Sequence, residues 1–218
     1  VFARHDLVWL DPDALPVLEV PGDMREHVDC WIHTGHPAVV RRDDTLRGEV
    51  PTVALGIPLP QRLGRRRLVL QAPLDAIVRR GRFPSIAAAT SAAPESMREV
   101  LAETTLLLEA CGAHARVYGS LGWQHLTGEI YLHPASDIDL LIEPDLRFDI
   151  DAALDVFRTM AMDASPRLDG ELVVAPDRAL AWRELLTSPG EVLLRGRDTL
   201  ILVASAPLLA GLRREPVA

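Results

Sequence analysis

The stretch "VYGSLGWQHLTGEIYLHPASDIDLLIEP", Val117 to Pro144, decides how the second half of the chain is read. It sets Gly119-Ser120 ahead of Asp137-x-Asp139, with apolar residues around both pairs. "HARVYG" reads as a short strand, and the Gly-Ser pair turns it into a helix of roughly "SLGWQHLT". "SDIDLLIE" is then a second strand. Successive strand residues face opposite sides, so Asp137, Asp139 and Leu141 share one face and Ile138, Leu140 and Ile142 the other. The second set is purely apolar and suits a core. The first presents two carboxylates about 7 Å apart along the strand.

Like charges that close repel unless something neutralises them. A hard divalent cation does so through carboxylate oxygens, and Mg²⁺, or Mn²⁺ in its place, keeps open positions for substrate phosphates. Asp137 and Asp139 are therefore candidate metal ligands and catalytic residues. Gly119 and Ser120 supply a phosphate seat: glycine permits close backbone approach, and the helix start offers free N–H groups and a positive dipole end. Gln124 and His125 follow on that helix, within reach of a phosphate or ribose, and Gln124 joins the candidate substrate-binding set. Alone, an Asp-x-Asp is most often a solvated strand edge and a Gly-Ser pair a turn; their order gives the chemistry. It implies transfer of a nucleotidyl or phosphoribosyl group with pyrophosphate leaving. A third carboxylate would complete such a site. Asp169 is preferred and Glu171 stays open; both fall on the strand "RLDGELVV" and share a face.

Outward from this stretch, two parts are expected. Residues 1–88 carry short apolar runs broken by Pro and Gly, such as "DLVWL", "PAVVRR", "VPTVALGIPL" and "RRLVLQAP", and read as a small, mostly-β domain. "FPSIAAATSAAPES" reads as a linker. Residues 89–218 read as a catalytic α/β domain with a mixed sheet, so the fold class is α+β. "PESMREVLAETTLLLEACG" has helical spacing and "DIDAALDVFRTMA" is a helix capped by Asp149 or Asp151. "RLDGELVV" and "ALAWREL" form a hairpin, and "EVLLRG" and "TLILV" add strands.

The net charge of −8 argues against a general nucleic-acid binder. No apolar run reaches membrane-spanning length and no secretory-signal pattern is present, so a cytoplasmic protein is expected. All 23 basic residues are Arg, which removes Lys as a Schiff-base or P-loop group. Cys30 and Cys111 are far apart and read as free thiols. His33 and His36 form an H-x-x-H that reads as a loop pair rather than a zinc site. Trp123 and Trp182 read as core. Residues 61–82 reverse the sign: Arg62, Arg65, Arg66, Arg67, Arg79, Arg80 and Arg82 stand against Asp75 alone. Three readings apply: a solvated paired face, a docking surface for an acidic partner, or a triphosphate contact.

The Gly-Ser pair followed by "SDIDLL" resembles the polymerase-beta-like nucleotidyltransferases, whose motif is Gly-Ser, two acids on a strand, then a third acid. The interval from Ser120 to Asp137 is longer than in minimal members, which sets the chain apart from simple antitoxin or aminoglycoside-modifying relatives. "RHDLVWLDP", "GHPAVVRR", "VALGIPLP", "RVYGSLGWQHLTG", "SDIDLLI", "RLDGELVV" and "AWREL" together resemble the malonate decarboxylase holo-acyl-carrier-protein synthase family, the phosphoribosyl-dephospho-CoA transferases. The resemblance covers most of the chain, both parts. It implies transfer of the phosphoribosyl-dephospho-CoA group from 2'-(5''-triphosphoribosyl)-3'-dephospho-CoA to a serine of the acyl carrier protein subunit of malonate decarboxylase. It implies Asp137 and Asp139 as metal ligands, Gly119 and Ser120 at the triphosphate, and Asp169 as the acid that orients or deprotonates the hydroxyl. Two alternatives remain: another Mg²⁺-dependent nucleotidyltransferase, and an inactive relative that binds a nucleotide or carrier.

Overall fold

The computed structural model describes residues 2–18, 20, 22–41, 52–162, 166–187 and 190–213. The N-terminal part is built on β1 (Leu7–Leu10), α1 (Arg25–His33), β2 (Ala38–Val40), β3 (Thr52–Pro58), β4 (Arg67–Pro73) and β5 (Ile77–Gly81). Its strands form an antiparallel sheet of order β4-β3-β2-β1-β5. Alternation explains β4: Leu68, Leu70 and Ala72 turn inward, while Arg67 and Val69 face out. Helix α1 was not expected in this part. Its Val28, Trp31 and Ile32 fall at helical spacing and close one side of the core.

The second part comprises α2 (Ile86–Ala89), α3 (Glu95–Ala110), β6 (Ala113–Tyr118), α4 (Gly119–Thr127), β7 (Ile138–Pro144), α5 (Ile150–Ala161), β8 (Leu168–Ala175), β9 (Arg178–Ala181), α6 (Glu184–Thr187), β10 (Glu191–Arg195), β11 (Leu200–Ala204) and α7 (Ser205–Leu212). The sheet order is β11-β10-β9-β8-β7-β6; β7 and β8 run parallel and the other pairs antiparallel, so it is mixed as expected. Ile138, Leu140 and Ile142 are fully buried, as the alternation requires. Asp149 caps α5, accepting from the N–H groups of Asp151 and Ala152.

Two expectations change. The segment read as a linker is packed structure: Ser85 caps α2, and Ile86, Ala89 and Ala93 lie in the second core. Small side chains here allow close packing against β6, so the break placed at 88/89 falls inside α2. The arm "ALAWREL" is strand only as far as Ala181; Trp182 then turns into the core against Phe157, and α6 follows.

The two cores are joined through α4. Leu121 packs into the second core and Trp123 into the first, where Tyr131 from the following loop joins it. The Tyr131 hydroxyl donates to the Pro58 carbonyl at 2.9 Å, and the Gln61 N–H to the Ile130 carbonyl at 3.1 Å. Thus the long interval between Ser120 and Asp137 ties the two parts together. Ion pairs add to this: Arg62–Glu129 at 2.7 Å, Arg82–Glu143 at 2.6 Å and Arg4–Glu171.

Candidate functional site

Strand β6 ends at Tyr118 and α4 begins at once with Gly119. Gly119 has φ +59°, and a Cβ there would lie 1.8 Å from Asp139 Oδ2. Sequence reasoning gave this glycine to a ligand; the structure adds a second reason for glycine here, the Asp139 carboxylate that lies against it. The strand register then assembles the site. Asp139 is paired with Tyr118 on β6 and with Asp169 on β8. Register partners share a sheet face, so Tyr118, Asp139 and Asp169 lie side by side. Asp137 precedes β7 and is exposed. Gly170 lets β8 approach: at φ +130°, a Cβ there would sit 1.9 Å from the Leu140 carbonyl oxygen.

The electrostatics follow from this crowding. The Asp139 carboxyl is pushed up from 3.8 to about 6, first by burial, then by Asp169 and Asp137, with Arg67 opposing. The Tyr118 hydroxyl is also pushed up, by burial and then by Asp139. Asp169 accepts from the Gly170 N–H at 2.8 Å and pairs with Arg167 at 3.2 Å. Among the described residues no three His, Cys, Asp or Glu side chains converge into a ready metal cage. The carboxylates nevertheless suit a hard cation: they are oxygen donors on adjacent chain segments whose mutual repulsion such an ion relieves.

Of the two candidates for the third acid, Asp169 is the neighbour of Asp139. Glu171 is buried one pleat further along, opposite Leu141. It pairs with Arg4 and lies 3.2 Å from His5 Nε2. Burial and the Arg4 charge hold His5 down at about 3, so its neutral ring donates to that carboxylate. The His5 ring also packs on Tyr118 at 4.6 Å.

Gln124 needs correction as a substrate contact. Its Nε2 donates to the Ala92 carbonyl at 2.7 Å, and its Oε1 accepts from the N–H groups of Tyr131 and Leu132 at 3.2 Å each. It is a strut that fixes the loop after α4. Gln124→Met should lower unfolding stability by about 2–3 kcal/mol, because buried backbone groups lose their partners. Precursor affinity measured on the folded variant should stay near the wild-type value. The H-x-x-H histidines also part company: His33 contacts the Asp29 carbonyl and His36 packs on Trp31.

Beside Gly119 and Ser120 opens a cavity of about 610 Å³ between the two parts. Its other walls come from the N-terminal sheet and from Arg4, His5, Tyr118, Trp123 and Tyr131. Among the described residues lining it are four arginines, Arg4, Arg41, Arg65 and Arg67, and no Asp or Glu. The sequence reading missed Arg4, Arg41 and Tyr118. Their only signal was membership of the N-terminal motifs "RHDLVWLDP" and "GHPAVVRR" and of the strand before Gly-Ser.

Family models for the phosphoribosyl-dephospho-CoA transferase MdcG match both parts, the N-terminal domain model over residues 3–83 and the C-terminal domain model over residues 85–206. The chain belongs to the phosphoribosyl-dephospho-CoA transferase family. Members are transferase enzymes, and the Gly119, Asp137, Asp139 and Asp169 arrangement lies within the C-terminal match. A phosphoribosyl-dephospho-CoA transferase of Xanthomonas euvesicatoria pv. vesicatoria is 35% identical over 209 residues, covering 94% of this chain and 95% of the relative. One from Bradyrhizobium diazoefficiens is 33% identical over 211 residues, covering 95% and 92%. One from Pseudomonas putida strain W619 is 34% identical over 205 residues, covering 92% of each. No solved structure matches. No helix among the described residues is long and apolar enough to cross a membrane.

Proposed function

We propose that the chain transfers the phosphoribosyl-dephospho-CoA group from 2'-(5''-triphosphoribosyl)-3'-dephospho-CoA to a serine of the malonate decarboxylase acyl carrier protein. The observation that carries this reading is the placement of Asp139: beside Asp169, after Asp137, and against Gly119 at the start of α4, in a chain of this family. The acceptor hydroxyl oxygen attacks the α-phosphorus of the triphosphate. A phosphodiester bond forms, the bond from the α-phosphorus to the bridging oxygen breaks, and pyrophosphate leaves with the electron pair. The hydroxyl proton passes to a carboxylate, and the register of Asp169 with Asp139 supports Asp169 in that role. The helix start at Gly119-Ser120 holds phosphate oxygens by its free N–H groups. Mg²⁺ or Mn²⁺ held by Asp137 and Asp139 would stabilise charge on the attacking and leaving oxygens. The cytoplasm is the proposed setting, in keeping with the free thiols Cys30 and Cys111.

Pyrophosphate release tests this. One pyrophosphate should appear per carrier modified, only with carrier and precursor both present, and none when the acceptor serine is alanine. Equal release without the carrier would mark a hydrolase and overturn the reading.

A further inference from the structure

We propose that the N-terminal sheet is part of the active site, supplying the counter-charge for the substrate's triphosphate through Arg41, Arg65 and Arg67. This rests on the transferase reading above and says which half of the molecule holds the leaving end of the substrate. The arginine run of residues 61–82 divides once folded. Arg62 pairs with Glu129, Arg66 with Asp23 at 3.5 Å, Arg80 with Asp6 at 2.5 Å and Arg82 with Glu143, while Arg79 stacks on Trp9 at 3.5 Å. Those five belong to the fold's own surface pairing. Arg65 and Arg67 instead line the cavity, with Arg41 from the end of β2 beside them.

Three features make this a polyanion site. The described wall is uniform in sign although the chain carries a net charge of −8. Among the described residues no carboxylate lies in ion-pair range of Arg41, Arg65 or Arg67, in contrast to Arg62 and Arg66. The wall also holds the two non-glycine residues with positive φ among those described, His5 at 70° and Arg65 at 55°. Such backbone costs about 1–3 kcal/mol and persists where surrounding structure enforces it, as at ligand-binding surfaces. Around Arg65 the enforcement is visible: its Nη2 donates to the Tyr131 carbonyl at 3.4 Å, and Gly64 before it is also left-handed. The position fits a triphosphate. Gly119 and Ser120, at the start of α4, line the same cavity as Arg41, Arg65 and Arg67. Arginine forks match phosphate oxygens, and a solvent-open wall allows the ligand to enter. A docking surface for the acidic carrier is the competing use of the same charges, and the test separates them.

Calorimetry on the full chain uses two probes, inorganic tripolyphosphate and the triphosphoribosyl precursor, with carrier binding measured alongside. Tripolyphosphate should compete with the precursor on the wild type. Arg41→Ala with Arg67→Ala should weaken both probes about tenfold or more and leave carrier affinity unchanged. Arg66→Ala, whose partner is Asp23, should match the wild type. Should the double variant melt at room temperature, Arg67→Gln alone gives the same readout with a smaller change. Unchanged affinity for both probes, or a loss confined to the carrier, overturns the clamp. Carrier modification by the wild type, with normal probe binding by the double variant, leaves the transferase reading standing and removes the clamp. Loss of tripolyphosphate binding in the double variant, with no carrier modified by the wild type, does the reverse.

Discussion

Asp139→Asn should lower transfer at least about a thousandfold while making the metal-free fold more stable, the scale expected when a charge-stabilising group at the reacting centre is removed. The stability half follows from the raised carboxyl. Asp139 titrates near 6 in the fold against an ordinary 3.8. As pH rises from about 4 to about 6, the unfolded chain releases this proton before the folded one does. Wild-type stability therefore falls across that window from this group and levels above it. The shift of about two units sets an upper scale of about 3 kcal/mol, and partial solvation brings the expected gain of the variant at pH 7.5 to about 1–3 kcal/mol. Denaturant melts of both proteins in EDTA, compared from pH 4 to pH 8, should diverge as pH rises. Added Mg²⁺ should then stabilise the wild type and close the gap, because an ion bound to the folded state alone raises its stability. A variant that is active, or one whose stability tracks the wild type at every pH, would remove Asp139 from the centre of the site.

The second large effect is expected at Gly119. An alanine Cβ there would sit 1.8 Å from Asp139 Oδ2 and on a backbone of φ +59°. The carboxylate must be displaced, so Gly119→Ala should lose transfer about as completely as Asp139→Asn. It should also lose about 1–3 kcal/mol of stability through backbone strain and the clash. A double-mutant cycle separates the two causes. In an Asp139→Ala background the contacts with the carboxylate are gone and the strain and a 3.0 Å approach to the residue 139 Cβ remain, so Gly119→Ala should cost less there by about 1 kcal/mol or more. An equal cost in both backgrounds would show that close approach to Asp139 is not why this position is glycine.

What the sequence revealed and what it hid have physical reasons. The core strand "IDLLIEP" declares itself because Ile138, Leu140 and Ile142 alternate with polar or less buried neighbours, and the Gly-Ser turn before it is local chemistry. Asp149 is a cap because its side chain meets N–H groups two and three residues on. The reverse holds for Glu171, whose partner Arg4 is 167 residues away. Spacing along β8 made Asp169 and Glu171 equivalent; only register with β7 and the arrival of the N-terminal segment tell them apart. Helix α1 was missed because nine residues between short strands give little periodicity to read. The alanines of α2 looked like linker because small residues serve both flexible chain and close packing. Gln124 was assigned to substrate since nothing local shows that its amide bridges Ala92 to the Tyr131 loop. The cavity was invisible for the same reason as Glu171: its arginines come from the chain start, the end of β2, and the segment leading into β4.

Intact-mass spectrometry of the carrier subunit is the most direct measurement. Carrier incubated with the wild-type chain, divalent cation and the triphosphoribosyl precursor should gain the mass of one phosphoribosyl-dephospho-CoA group, on the acceptor serine, and carrier incubated with Asp139→Asn should stay unmodified. An unchanged carrier mass with the wild type, or the same gain with the variant, would contradict the account.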